Sequence, residues 1–438
     1  MNDTKRIVIV GGGFVGLNAA RGFRRAGNVH VTLIDRRNHH LFQPLLYQVA
    51  MAGLSPADIA APIRSIFSKQ KNVRVLQGEV QSVDFAGLKV RADFGDVPFD
   101  YLILACGAKH SYFGNSDWEQ HAPGLKTVEQ ATEIRRRVLT AFEIAERSTS
   151  PDEQRKLLTF VVVGGGPTGV ELAGAIGEMS RYTLARDFRS IDATLARVIL
   201  IEAGPRILPM FSTKSSNRAM RDLEGLGVQV WTSSRVNRVD EHGVEVGDER
   251  ICSGTILWAA GVQASPLGER LGFETDRAGR VIVEPDLSVK NHPHIFVAGD
   301  QAHCQVGDQI LPGVAPVAMQ QGRFLAANIL REINGEPRRE FQYVDKGQMA
   351  TIGRSRAIAE VGRWKFGGFF AWLVWLVIHV YYLTGFRRRF LVVCNWAWSY
   401  LTFRRGARLI IQKEWQLDSD SLSLRRTETS ETENSVAG

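Results

Sequence analysis

Residues 6–13 read RIVIVGGG and residues 159–166 read TFVVVGGG. Each is a run rich in β-branched residues, the composition of a strand buried on both faces, and each ends abruptly in glycine. The stretches that follow are matched as well. Phe14-Val15-Gly16 leads into a helical stretch over residues 17–26 and then a strand over residues 30–34 that stops at Asp35. Pro167-Thr168-Gly169 leads into a helical stretch over residues 170–179 and then a strand over residues 198–201 that stops at Glu202. Strand, glycine turn, helix, strand and acid is the pattern of a dinucleotide-binding unit. One glycine turn alone is a common structural joint, but two with every flanking element in place define a fold.

In such a turn the first glycine (Gly11, Gly164) makes a tight bend, and the second (Gly13, Gly166) lets the backbone approach a pyrophosphate. The third (Gly16, Gly169) lets helix and strand pack closely, and the helix N-terminus offers N–H groups and partial positive charge to the phosphates. Asp35 stands 19 residues past Gly16, the spacing of a carboxylate on an adenosine ribose. Glu202 stands 33 past Gly169, so an insertion over roughly residues 180–195 separates that helix from its strand. A carboxylate there accepts from a 2′-hydroxyl and repels a 2′-phosphate, which favours NADH over NADPH; the neighbouring Arg206 works against that preference. Two dinucleotide sites in one chain point to a flavin and a nicotinamide.

Residues 100–107 (DYLILACG) and 254–261 (GTILWAAG) form a second matched pair of apolar strands ending in glycine. Residues 294–300 (HIFVAGD) form another buried strand, and residues 322–333 have helical periodicity closed by Asn334-Gly335 and Pro337.

The chain has 438 residues, 44% hydrophobic and 23% charged, ordinary globular composition with room for two or three domains. Its net charge of +8 is unevenly spread. Residues 338–413 hold fourteen Lys/Arg against three Asp/Glu, while residues 414–438 hold two Arg against six acids and are rich in Ser and Thr, as a disordered tail would be. Cys106, Cys252, Cys304 and Cys394 share no short spacing, which excludes a disulfide scaffold, a CxxC redox pair and a cysteine zinc site; no metal site is expected. The polar residues 1–6 and the brief apolar run 7–10 do not make a secretory signal, so a cytoplasmic location is expected.

The basic segment encloses its own explanation. Residues 366–386 (FGGFFAWLVWLVIHVYYLTGF) contain no Lys, Arg, Asp or Glu, and Arg387–Arg389 follow. Another uncharged run over residues 390–403 is closed by Arg404-Arg405, and six of the nine tryptophans lie between residues 364 and 415. Arginines flanking long lipid-like runs rich in Trp and Tyr suit an anionic membrane surface and not a nucleic acid. The fold class expected is therefore α/β, with two Rossmann-like dinucleotide-binding domains (FAD and NADH) plus a C-terminal helical segment that by length alone could span a bilayer, lie in one leaflet as a membrane-anchoring segment or be a buried core helix. The expected boundaries are 1–115 and 291–345 for the FAD domain and 116–290 for the NADH domain (core 157–285). Residues 346–415 form the membrane-association segment, and residues 416–438 the disordered tail.

GGGFVGLNAA, HLFQPLLYQVA, GGGPTGVELAG, WAAGV, VAGDQAH and LPGVAPVAMQQG occur in this order over roughly residues 5–410. In these motifs the sequence resembles the type II NADH:quinone oxidoreductases. The resemblance implies a non-covalent FAD, NADH as donor, and a membrane quinone (ubiquinone or menaquinone) as acceptor. It implies monotopic association with the cytoplasmic face of the inner (plasma) membrane and an anionic lipid surface as partner, without proton pumping; a homodimer is left open.

Carried over by position, the FAD site would comprise Gly11, Gly12, Gly13, Phe14, Val15, Gly16, Asp35, Arg36, Gln43, Pro44, Gln48, Val80, Gly107, Asp300 and Ala318. The NADH site would comprise Gly165, Gly166, Pro167, Thr168, Gly169, Glu171, Glu202, Ala260 and Gly261. Glu171 would position nicotinamide or relay a proton. The quinone motif Ala-Gln-x-Ala-x-Gln falls on residues 315–320, where Pro316 replaces the first glutamine and Gln320 remains to meet a quinone carbonyl. The neighbouring sulfide:quinone type of flavoenzyme works through a cysteine pair flanking the flavin; here only Cys106 and Cys304 stand near flavin motifs. His39 and His40 read as structural or solvated loop residues, and His379 as a residue that could reach an interface.

Overall fold

The computed structural model describes residues 4–402 and 407–411; the expected tail 416–438 and the Arg404-Arg405 pair lie outside the described residues. Each glycine turn is fed by the central strand of its own sheet. In the first sheet the order across is Ser288–Val289, His292–Val297, Tyr101–Leu104, Lys5–Val10, Val29–Asp35 and Val73–Gln77, parallel throughout except at the Ser288–Val289 edge. In the second it is Val228–Trp231, Arg197–Ile201, Thr159–Val163 and Thr255–Trp258, all parallel. The strand that ends at an acid lies on one side of each glycine-turn strand, and the matched strand ending in glycine lies on the other. This reversal of winding opens a crevice beyond the carboxyl ends of the strands, the usual dinucleotide position.

The strands are Val- and Ile-rich because both faces are covered: Ile7, Ile9, Phe160 and Val162 are all fully buried. The chain returns to the first sheet earlier than the expected boundary at residue 291. Val262–Ala264 pairs antiparallel with Ala108–His110 as a connecting ribbon. Beyond it Leu267, Phe273, Val281 and Val289 already share a core with Val8, Val10 and Leu102. The ribbon carries the backbone back across, so packing and not the next strand motif marks the junction.

The helix expected from residue 322 begins at Ala315 and runs to Ile333. Its Pro316 occupies the first turn, where no intrahelical N–H is needed. This helix approaches the first glycine-turn helix, Phe14–Gly22, at backbone distance: a methyl on Gly22 would lie 2.4 Å from Ala326 Cβ, and one on Gly322 would lie 2.4 Å from the Val15 carbonyl oxygen.

The C-terminal segment is a three-stranded meander, Gln348–Thr351, Ala357–Val361 and Trp364–Gly368, followed by the helices Phe369–Tyr382 and Phe386–Thr402. The apolar run of residues 366–386 is thus divided between a strand end, a 14-residue helix and a turn. Fourteen residues make roughly 21 Å of helix, against about 30 Å of bilayer hydrocarbon. Among the described residues no helix is long and apolar enough to cross a membrane. Trp375, Leu383 and Val392 pin the pair of helices to the body, while Phe370 is 74% exposed and Val377, Tyr381, Phe390 and Trp398 are exposed beside it.

Candidate functional site

Both glycine turns open into one cavity of about 2310 Å³, whose lining takes in Gly12 and Asp35 as well as His379 and Tyr382. The turns are built alike. Gly11 has φ +108° and Gly164 φ +108°, a conformation that needs glycine. A methyl on Gly16 would lie 1.9 Å from the Gly11 carbonyl oxygen and one on Gly169 1.8 Å from that of Gly164, so the third glycines serve packing and stand outside the cavity wall. A methyl on Gly13 or Gly166 would meet no protein atom within 4 Å; it would project into the space beside the helix N-terminus, where a pyrophosphate needs room. The first turn therefore fits FAD, and the fit rests on missing Cβ atoms.

The acids brace the turns. Asp35 accepts from Gly12 N–H at 2.6 Å and from Arg37 N–H at 2.7 Å. Glu202 accepts from Gly165 N–H and from Gly204 N–H, both at 2.6 Å. Asp35 lines the cavity, whereas Glu202, Gly165 and Ala260 stand behind its wall. Arg206 donates to the Phe211 and Pro209 carbonyls, each at 2.8 Å, so its guanidinium is committed to its own loop and no longer speaks against NADH selectivity. On the flavin side Phe14, Val15, Arg36, Gln43, Pro44, Val80, Gly107, Asp300 and Ala318 line the cavity, as do Gly166, Pro167, Thr168 and Gly261 on the other. Lys126, which the sequence reading missed, faces Asp300 at 3.9 Å, and burial lowers its pKa. Its backbone carbonyl accepts from Gln43 Nε2 at 3.2 Å.

Glu171 lies on the cavity side of the helix Pro167–Glu178, one helical face with Gly174 and Glu178. That face presses on the edge of the C-terminal meander: a methyl on Gly174 would lie 3.2 Å from Gly353 N, and Glu178 accepts from Arg354 N–H at 2.8 Å. Glu171 thereby meets the Thr351 backbone N–H. Burial nevertheless dominates and pushes its pKa up to about 8, so it carries a proton at neutral pH. Tyr47 Oη and Thr351 Oγ1, 3.0 Å apart, lie beside it; both residues are buried and both were missed from sequence.

Several sequence expectations are corrected by position. Gln320 does not line the cavity: its Nε2 donates to the Val344 carbonyl at 2.9 Å and its Oε1 accepts from Val344 N–H at 3.0 Å. A glutamine facing outward from a helix can pair with the backbone of a passing loop, and this one has. Ala315, Pro316, Ala318 and Met319 form the wall there instead. Gln48 also turns away, its Nε2 donating to Tyr47 Oη and its Oε1 accepting from Trp396 Nε1. His379 points inward and not to an interface; it stacks on Trp375 at 4.1 Å, bonds to that residue's carbonyl through Nδ1 at 2.7 Å, and is held neutral, its pKa lowered to about 4 by burial. His40 is structural, its Nδ1 bonded to the Gly12 carbonyl at 2.9 Å, while His39 lines the cavity. All four cysteines are free. Burial pushes the Cys106 thiol up to about 12, the opposite of what a nucleophilic thiolate needs.

Residues 5–322 match the family model described as pyridine nucleotide-disulphide oxidoreductase, and residues 346–405 match the NDH2 C-terminal domain. Fold and site thus define a flavoprotein oxidoreductase of the two-dinucleotide class. The type II NADH:quinone oxidoreductase Ndh of Mycobacterium tuberculosis is 46% identical over 93% of this chain and 91% of its own. A type II NADH:quinone oxidoreductase of Staphylococcus aureus is 32% identical over 82% of this chain and 90% of its own. The chain belongs to the type II NADH:quinone oxidoreductases: it is a single-subunit enzyme that oxidises NADH and reduces quinone, with FAD as cofactor. In fold it is similar to NDH2 from Plasmodium falciparum in complex with NADH, with TM-score 0.86, 20% identity, and coverage of 93% of this chain and 100% of that one. The sulfide:quinone oxidoreductase of Aquifex aeolicus shares the fold at TM-score 0.72 and 18% identity, over 88% of this chain and 91% of that one.

Proposed function

We propose that the first glycine turn, with Asp35, Gln43, Pro44, Val80, Gly107 and Asp300, holds FAD, and that the second turn, braced by Glu202, holds NADH. Quinone enters the far end of the same cavity, between the residues 315–319 and the inner face of the helix Phe369–Tyr382. The observation that carries this reading is the continuity of the cavity from one turn to the other and on to His379 and Tyr382. FAD held there would supply the two-electron chemistry that links NADH oxidation to quinone reduction.

The chain itself supplies alignment and a proton. The helix N-termini at Phe14 and Pro167 would face the phosphates of the two dinucleotides, and holding both in one cavity would contribute alignment to the rate. Glu171, on the cavity wall, holds a proton on its carboxyl and would offer it to groups bound there. Glu202 and the tied-up Arg206 favour NADH over NADPH.

The C-terminal helices seat the enzyme monotopically on the cytoplasmic leaflet. Their exposed apolar face and the neighbouring Arg388 and Arg389 support that seat, since apolar burial and anionic headgroups would hold it together.

Anaerobic rapid mixing tests the assignment. NADH should bleach the flavin faster than NADPH does, and a short-chain quinone should restore its colour at once. Bleaching without recovery would remove the quinone end of the cavity from the reading.

A further inference from the structure

Glu171 stands beside Thr351, and from that residue's side chain a line of hydrogen bonds runs out to the helix Phe386–Thr402. The Thr351 backbone N–H serves the Glu171 carboxyl group, and Thr351 Oγ1 lies 3.0 Å from Tyr47 Oη. Gln48 Nε2 donates to that same oxygen at 3.0 Å, and Gln48 Oε1 accepts from Trp396 Nε1–H at 2.7 Å.

The indole N–H is a donor only, so it fixes which end of the Gln48 amide faces Trp396. The amide nitrogen is then left for Tyr47. Tyr47 Oη accepts there, which leaves its own hydrogen available to Thr351 Oγ1. Over the Trp396–Gln48–Tyr47 stretch the donors therefore point inward, and that direction is set at the outer end. Without the indole the amide can turn; Tyr47 would then donate to its oxygen and aim its hydrogen away from Thr351.

The outer end is firmly placed. Trp396 packs on the buried Trp375 with ring centres 5.7 Å apart, Val392 on the same helix is fully buried, and Arg388 Nε donates to the Ala57 carbonyl at 3.1 Å. That helix also presents Phe390 and Trp398 outward.

We propose that Trp396 is a positioning residue for quinone reduction, its N–H orienting the Gln48–Tyr47–Thr351 line that ends beside Glu171. The seating of the helix Phe386–Thr402 is thereby felt at the reaction centre. This rests on the reading that Glu171 stands at the quinone-reducing end of the cavity.

The test separates the two half-reactions of the FAD-loaded enzyme. Trp396→Phe keeps the ring contact with Trp375 and removes the donor. It should slow reoxidation by a short-chain quinone about fivefold, the worth of one buried hydrogen bond, and leave bleaching by NADH within about twofold. Gln48→Leu should do the same, and the double variant should be no slower than either single one. Gln48→Leu also keeps the test alive if Trp396→Phe folds poorly. Equal loss in both half-reactions, or multiplied losses in the double variant, would overturn the proposal in favour of a merely structural role. Glu171→Gln is the control. If it leaves quinone reduction unchanged, the reading of Glu171 falls; if it slows the step while Trp396→Phe and Gln48→Leu do not, the present inference falls alone.

Discussion

Asp35 and Glu202, in two different sheets, hold the same post: each accepts the N–H of the middle residue of its GGG run, Gly12 or Gly165, at 2.6 Å. Each also caps the loop that follows its own strand, through Arg37 N–H or Gly204 N–H. Each acid is thus first a backbone brace. Glu202→Ala should raise KM for NADH by about ten- to a hundredfold, the range for losing hydrogen bonds to a charged acceptor, while flavin content stays full. NADPH should not become a good substrate, because Arg206 remains bonded to Pro209 and Phe211. Steady-state kinetics with both nucleotides check this; a variant that prefers NADPH would contradict it.

Gly13→Ala and Gly16→Ala should fail in different ways. The first adds a methyl that meets no protein atom, so the chain should fold with an unchanged circular-dichroism spectrum but lose bound FAD. The second drives a methyl into a backbone oxygen 1.9 Å away, so soluble folded protein itself should be lost. Flavin absorbance per folded chain distinguishes the two.

Glu171 gives a pH signature in stability as well as in rate. Its folded pKa of about 8 is above the usual carboxyl value, so between roughly pH 4.5 and 8 the folded state holds a proton that the unfolded state has released. Its contribution is therefore most favourable below pH 4.5, declines as pH rises through that window, and is constant above pH 8. Glu171→Gln should melt progressively higher than the parent as pH rises to 8. The parent's quinone step should also slow above pH 8 as the proton is lost, and the variant should lack that limb. Melting curves and reoxidation rates across the range check both.

Gln320 should behave as a clamp. With both ends of its amide on Val344, Gln320→Leu should lower the melting temperature by a few degrees, the effect of about 1–2 kcal/mol, and change kcat with quinone less than twofold. Thermal melts beside quinone titrations will tell; a large rise in quinone KM would put Gln320 back in the site.

Phe370→Glu should weaken binding to anionic vesicles by about tenfold or more, since one buried aromatic is worth roughly 1.5–3 kcal/mol. Activity with a soluble short-chain quinone should be unchanged. Vesicle co-sedimentation measures the first and steady-state assay the second.

The two sheets, their glycine turns and their acids were legible because buried parallel strands and glycine bends leave strong local signals. What escaped was settled by contacts distant in sequence. Gln320 is turned away by Val344, and nothing local announces that pairing. Thr351 becomes part of the site only because the helix Pro167–Glu178 presses on its strand at Gly174. Tyr47 lies inside HLFQPLLYQVA, where nothing local marks it from its neighbours, and it is buried. The helix begins at Ala315 and not at residue 322, since a proline in the first turn starts a helix as readily as it ends one. The apolar run 366–386 carried the right chemistry but could not reveal that its first residues complete a strand.

The close approach of Gly22 to Ala326 and of Gly322 to Val15 has a mechanical consequence. The cradle for the cofactor's phosphates and the wall at residues 315–319 sit at the ends of two helices locked backbone to backbone, with less than a methyl group of slack. The span between them is a fixed gauge that side-chain changes around it will not alter. Side chains elsewhere in the lining, such as Val377, His379 and Tyr382, carry no such backbone lock and are where the cavity can change its shape.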